Sequence, residues 1–435
     1  IYTVFRRRGQ VQDMGAVIPA GIFGLEGQVI KEVVMDEASG RVRIVCDRDR
    51  RRRPVDHRTR RRGGVNRLLR RTVLDVPMFG RPCEVEIEYA ETFVSPGQVR
   101  VEALPFVAPG ARVTRRLARL IAGMARHMPI AVVARHTGLS WDSVKAIECA
   151  HLTETIEPPR PQTLSGIRYL GVDEVARAKG QSYFTLVYDL TPGARYGRIL
   201  WVKEGRDSSV LLDFLDALSD ECAQGIEAVA LDMGLAYIAA VQKSLPHAAL
   251  VFDRFHVMQM FSKVIRDCRR AEFREAKKLN DLTGQAAIKG SLYLLLSNRG
   301  TLKESDQGRL DQLLAQNASL LALYTLKEQL QLLWQRPATP TEMAARLNDW
   351  CGMAQAAKIT GLSAFVKTLQ SHRTGICNYA AHPITTARLE AGNVSIGLLR
   401  KRARGLRDTQ YFKLKIFQLN TPDSPSFLYV ALSTS

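Results

Sequence analysis

Two aspartates and a glutamate stand where the sequence could do chemistry. Asp173 ends the run Tyr169-Leu170-Gly171-Val172, and Asp232 ends the run Ala228-Val229-Ala230-Leu231. Each run reads as a strand. If the two strands are neighbours, both carboxylates emerge at the same end of a sheet. Far downstream, Glu390, Asn393, Gly397, Arg400 and Arg404 recur at intervals of three and four and so share one helical face. Leu389, Ile396, Leu399 and Ala403 form a second stripe that can pack on a sheet and bring Glu390 towards the aspartates. Carboxylates gathered in one place repel unless cations neutralise them, and hard oxygen donors suit magnesium or manganese. Two such ions can activate an attacking oxygen and stabilise a leaving oxygen in phosphodiester chemistry. Asp253 and His256 make a further polar cluster at a strand exit, where a histidine also serves as an ordinary helix cap.

These side chains need a frame. Segments 167–173, 183–189, 198–202, 228–232 and 249–253 predict strands, with helices over 208–218 and 236–244. Three strands, a helix, a strand, a helix and a strand make an α/β sheet. Between 270 and 364 only Ile288 and Ile359 are Val or Ile, while Leu and Ala dominate, which predicts helix throughout. A late amphipathic helix is expected around 386–404. Ahead of the sheet, Pro158, Pro159 and Pro161 make 156–163 a linker. Residues 129–147 have the pattern of a helix-turn-helix. Ala134 is small, Gly138 turns the chain, Ser140 caps a new helix, and Val144 and Ile147 recur at helical spacing. On that reading Ser140, Trp141, Asp142, Ser143 and Lys145 begin a DNA recognition helix. The alternative is an ordinary αα-hairpin.

Charge points the same way. In 435 residues, 62 Lys and Arg face 43 Asp and Glu, and the net +19 calls for a polyanionic partner, nucleic acid first. Residues 41–71 hold fourteen arginines against Asp47, Asp49 and Asp56, a net +11. A block so dense is commonly a solvated, partly disordered arm, the alternative being a plain solubility tract or a structural loop, and with phosphate as partner Arg51, Arg52, Arg53, Arg60, Arg61 and Arg62 become an anchor for DNA. Beyond it, Cys83, Val85, Ile87 and Tyr89 alternate with Glu84, Glu86 and Glu88 as in a half-buried strand. The seven cysteines lack the paired spacing of a disulfide framework or a zinc ribbon and read as reduced, cytoplasmic thiols. No run of about 18 apolar residues suggests a membrane span, and no signal peptide is expected. The chain opens on Ile1 rather than methionine, which leaves its start open.

The segments GVDE (171–174), ALDMGLAYIAAV (230–241), VFDRFHV (251–257) and RLEAGNVSIGLLRKRARGLRDTQYFKLKI (388–416) resemble the motif blocks of the ISL-three family of bacterial insertion-sequence transposases. Order and spacing match over roughly 105–417. The resemblance implies an RNase H-like mixed sheet with an all-helical insertion, preceded by the helix-turn-helix and a small, basic, partly β module. It makes Asp173, Asp232 and Glu390 a DDE triad holding two Mg2+ (or Mn2+) ions, and puts Asp253 and His256 on a D-x-x-H motif in a supporting role; Asn393, on the helical face of Glu390, is expected to support the site too. The implied activity is cleavage and strand transfer of double-stranded DNA, at terminal inverted repeats and a target, by a homo-oligomer. Arg400, Lys401, Arg402 and Arg404 would hold the DNA backbone beside the acids. The corresponding divisions are 1–104 (basic module), 105–155 (helix-turn-helix), 156–164 (linker), 165–263 and 376–420 (catalytic domain) and 264–375 (insertion).

Two departures matter. Only Cys46 and Cys83 lie where the family carries zinc-finger cysteines, with His57 the one nearby imidazole, so no structural zinc is expected. Gly234 stands where an aromatic residue is frequent in the family. Two other functions share these features: a DNA-binding regulator descended from an inactivated transposase, and an RNase H-like nuclease that joins nothing. The insertion fits a DNA clamp or a multimer interface equally well.

Overall fold

Alternating apolar and charged residues build the N-terminal sheet. Its strands are β1 (Val4–Arg7), β2 (Gln10–Gln12), β3 (Gln28–Asp36), β4 (Arg41–Arg48), β5 (Val65–Met78), β6 (Arg81–Ser95) and β7 (Gln98–Val101). They run in the order β2-β1-β3-β4-β6-β5, with β7 paired to β6. Val42, Ile44 and Cys46 of β4 and Cys83, Val85 and Ile87 of β6 are buried in one core. Burial pushes both thiols up to about 12, so they act as small core hydrophobes. The β5–β6 hairpin turns on Phe79 and Gly80 at φ of 52° and 72°. This is the doubly positive geometry whose twist matches the flanking strands.

The arginine block is therefore no loose arm, which corrects the expectation for 41–71. It supplies β4, the 49–64 connection and the start of β5. Alternation on two paired strands explains the change, because Arg41 and Arg43 meet Glu84 and Glu86 of β6. Arg48 lies buried against Glu102 at 2.9 Å, and Arg70 reaches Asp47 at 2.6 Å.

The computed structural model describes residues 4–7, 10–12, 23–95, 98–178, 180, 182–193, 197–252, 254–335, 339–384, 386–403 and 406–421. The chain divides into two compact units, Ile1–Glu157 with Lys401–Ser435, and Pro158–Arg400.

In the first unit the sheet is followed by α1 (Arg115–His127), α2 (Ile130–Thr137) and α3 (Trp141–Thr155). Gly138 leaves α2 in the left-handed region at φ 69°, and the Ser140 hydroxyl accepts from Ser143 N at 3.1 Å. Such a cap stabilises a helix start by about 1 kcal/mol. Val133 and Val144 meet in the small core between these helices.

The second unit is built on β8 (Tyr169–Ala178), β9 (Ser182–Asp189), β10 (Arg198–Glu204), β11 (Ala228–Leu231) and β12 (Ala249–Phe252), with α4 (Ser208–Leu215), α5 (Asp220–Gly225) and α6 (Leu235–Ser244) between them. The strand order is β10-β9-β8-β11-β12; β8, β9 and β10 are antiparallel, and β11 and β12 run parallel to β8. The chain then enters α7 (Arg254–Lys278), α8 (Leu282–Ile288), α9 (Leu292–Leu296), α10 (Glu304–Gln316), α11 (Ala318–Gln335), α12 (Pro340–Ala356), α13 (Leu362–Ser371) and α14 (Arg373–Cys377). Leucines from α10 and α11, with Trp350 of α12, continue the core of the sheet.

Helix α15 (Ala387–Arg402) spans the expected late helix, and α16 (Thr409–Phe417) follows. Sequence reasoning put 376–420 with the sheet, but the compact units divide between Arg400 and Lys401. Arg402, α16 and Thr421 pack with α1 and α3. Glu148 of α3, fully buried, accepts from Lys415 Nζ at 2.6 Å and from the Tyr411 hydroxyl. Asp408 caps α16 and pairs with Lys145 at 2.9 Å. A carboxylate this deep is tolerated only with its partners in place, so α16 completes the helical part of this unit.

Candidate active site

Asp173 and Asp232 are brought together by strand register. Ala230 of β11 lies opposite Gly171 of β8 in a parallel ladder. Two residues on from that pair, the two chains carry Asp232 and Asp173, near enough for the charge of Asp232 to act on the Asp173 carboxyl. Asp173 does not end its strand as expected. β8 continues to Ala178 because β9 pairs with it along that length, while β11 stops at Leu231. Asp173 is thus held mid-strand, and Asp232 sits in the turn before α6, accepting from Gly234 N at 2.9 Å. A methyl on Gly234 would lie 2.7 Å from Asp232 Oδ1, so this glycine gives the carboxylate its room.

Helix α15 lies on the same strand. A methyl on Gly171 would fall 2.9 Å from Leu389 Cδ1, and one on Gly392 would fall 2.8 Å from the Tyr188 hydroxyl. Both glycines permit the close approach. Asn393 Nδ2 donates to Asp173 Oδ2 at 2.7 Å, and Asn393 Oδ1 accepts from Tyr188 at 3.3 Å. Tyr188, buried in β9, and Glu174, which bonds with Tyr237, were not singled out in the sequence. The Tyr237 hydroxyl also lies 2.8 Å from Thr185 Oγ1.

Burial raises the Asp173 carboxyl above its usual range, and the charge of Asp232 adds to the rise. The Glu174 N–H, His256 and Asn393 oppose it. His256, half-buried on the first turn of α7, is close enough for its charge to act on Asp173. Asp253 lies outside the described residues. Glu390 is half-buried in the first turn of α15, one turn before Asn393. Among the described residues no group of three or more His, Cys, Asp or Glu side chains is placed to hold a metal ion. Beside Asp173 the structure sets the amide of Asn393.

Comparison with known proteins identifies the family of the chain. Residues 170–416 match a family model described as transposase, and residues 102–148 match the helix-turn-helix domain of transposase family ISL3. The transposase for insertion sequence element IS1001 of Bordetella parapertussis is 34% identical over 356 residues, covering 81% of this chain and 85% of that protein. The transposase for IS1557 of Mycobacterium tuberculosis (strain CDC 1551 / Oshkosh) is 25% identical over 329 residues, 71% of this chain and 72% of its own length. The chain belongs to the ISL3 family of transposases.

The cations expected to meet DNA in this transposase fall into two groups. Eight of the fourteen arginines between 41 and 71 pair with carboxylates, including Arg51 with Asp49 and Arg52 with Glu26. Arg53, Arg58, Arg60, Arg61 and Arg62 are exposed on the 49–64 connection, their side chains without a carboxylate partner among the described residues. Arg53 and Arg62 line a groove of about 490 Å³ with Gly63 and Gly64. On α3, Trp141, Asp142 and Ser143 are exposed. Lys145 is not free for DNA as expected, because it is drawn to Asp408 and lies over the rings of Trp141 and Tyr411. Arg400 donates to the Ala176 carbonyl and Arg402 to the Arg126 carbonyl at 2.8 Å, so both are engaged with backbone. Lys401 is exposed, and Arg404 lies outside the described residues. Among the described residues no helix is long and apolar enough to cross a membrane.

Proposed function

We propose that this transposase cuts and rejoins double-stranded DNA with Asp173, Asp232 and Glu390 as its acidic triad, on an RNase H-like sheet. The register that sets Asp173 beside Asp232, with the Glu390 helix packed on the same strand, carries the reading. The strand order β10-β9-β8-β11-β12 supports the RNase H-like assignment. Two adjacent carboxylates are a donor set suited to a hard divalent ion. Asp173 and Asp232 would hold magnesium or manganese, with Glu390 reaching them from one turn away, a Cβ separation of about 5–6 Å from Asn393. The ions would activate the attacking oxygen and stabilise the leaving one. Asn393 and Tyr188 hold the Asp173 carboxylate in one orientation. Glu174, tied to Tyr237, keeps the strand beside it in place.

The helix-turn-helix would read the terminal repeats through Trp141, Asp142 and Ser143, and the exposed arginines of the 49–64 connection would grip phosphates. A nicking and strand-transfer assay with magnesium on the element's own ends tests the assignment. Asp232→Ala and Glu390→Gln should each lower product by roughly 10³-fold or more while duplex binding stays within about twofold. Undiminished turnover in either variant removes that residue from the site, and cutting without any joined product would favour a nuclease.

A further inference from the structure

Helix α7 carries eight Lys and Arg residues against Asp267, Glu272 and Glu275 in its 25 positions. Its apolar side, Val257, Phe261, Val264, Ile265 and Cys268, is buried in the core. At about 100° per residue, Lys263, Arg266, Arg270, Arg274 and Lys277 fall within an arc of about 80° on the opposite side. Of these, Lys263, Arg270, Arg274 and Lys277 are exposed and Arg266 is half-buried. Glu272 is drawn aside by Asn317 at 2.8 Å, and Glu275 pairs with Lys278 at 3.0 Å. Asp267 approaches Arg270 at 3.5 Å, a solvent-exposed pair of little worth. Beside the stripe opens a groove of about 670 Å³, lined by Arg269, Arg270, Phe273, Arg274 and Lys289, with Asp267 the one acid on its wall among the described residues.

The stripe has a direction. His256, whose charge acts on Asp173, lies on the same angular face as Arg274. From His256 to Lys277 the helix rises about 32 Å, which is the length of about nine phosphates along one strand of a duplex. A surface with a cation on nearly every turn, starting beside carboxylates proposed to act on a phosphodiester, is matched to the backbone of DNA leaving that site.

We propose that the solvent face of α7, with Lys289 across the groove, is a sequence-independent track for the phosphate backbone of duplex DNA. This makes the helical insertion a DNA-holding element, and it rests on the reading of the acidic site as one that acts on DNA. Because these contacts are ionic, they release counterions and show in the salt dependence of binding.

The test measures binding of the full chain to a mixed-sequence duplex of about 30 base pairs across a range of salt, beside a single strand of the same sequence. Replacing Arg270, Arg274 and Lys289 together by alanine should flatten the slope of log affinity against log salt by about 2–3 and weaken duplex binding roughly tenfold or more near 100 mM salt. A control carrying Arg346→Ala and Lys367→Ala, exposed cations elsewhere in the insertion, should keep the wild-type slope. An unchanged slope in the triple variant, an equal loss in the control, or a loss confined to the single strand would overturn the track. Thermal melting of all three proteins separates a binding loss from unfolding. Asp232→Ala should retain the full slope. If that variant still nicks DNA, the assignment of the acidic site fails while the slope result stands on its own.

Discussion

Glu148, fully buried, and Asp173, half-buried, are carboxylates drawn in from water, one in each compact unit, and they are answered differently. Glu148 meets an ammonium at 2.6 Å and a tyrosine hydroxyl, so its charge is matched where it is buried. Asp173 meets an amide at 2.7 Å and another carboxylate on the adjoining chain segment. Burial lifts its carboxyl, and its neighbours offset only part of the rise. A matched buried charge fixes structure, whereas an unmatched one keeps an appetite for a cation at a cost in stability.

Three experiments press on that contrast. Replacing Asp173 by asparagine keeps its shape and removes its charge. Nicking should fall by roughly 10³-fold, yet the melting temperature should rise by about 2–4 °C at neutral pH. The sign follows from linkage: a raised carboxyl means that the folded chain keeps a proton the unfolded chain gives up. Stability therefore drops as pH climbs from the ordinary carboxylate range through the raised value, and the asparagine variant should be flatter there. A melting temperature that falls instead would show Asp173 to be structurally matched after all.

The opposite result is expected at Lys415→Ala, which strands Glu148. Denaturant unfolding should report a loss of about 3–5 kcal/mol, and the double variant Glu148→Leu with Lys415→Met should recover most of it. A loss within about 0.5 kcal/mol would mean that the pair is solvated. The smallest effect belongs to surface charge. Arg60→Ala, Arg61→Ala and Arg62→Ala together should weaken duplex binding severalfold and lower the salt slope by about 2–3, leaving the melting temperature unmoved. The same triple change at the paired Arg41, Arg43 and Arg67 should cost less binding. Equal losses would show that pairing does not decide which arginines reach phosphate.

Local pattern carried much of this into view. The apolar runs around Val229 and Val251 became parallel strands, the Ser140 cap formed, and the stripe of Leu389, Ile396 and Leu399 became the buried side of α15. What stayed hidden depends on partners far away in sequence. The run after Asp173 reads as a loop because Glu174 and Arg177 break its apolar character, and only pairing with β9 keeps it a strand. Lys415 and Glu148 stand 267 positions apart, and no periodicity announces such a bond. Arg41 and Arg43 alternate as Glu84 and Glu86 do, and alternating opposite charges on two candidate strands predict a cross-strand ladder.

Because α16 supplies the counterion that α3 needs, the unit bearing the helix-turn-helix is sewn shut by a stretch made after all of 158–400. During synthesis Glu148 is made before the ammonium and hydroxyl that match it, with 158–400 in between. Cutting the chain after residue 157 would therefore yield a fragment lacking its keystone, and a faithful miniature of this unit would need 401–421 grafted back.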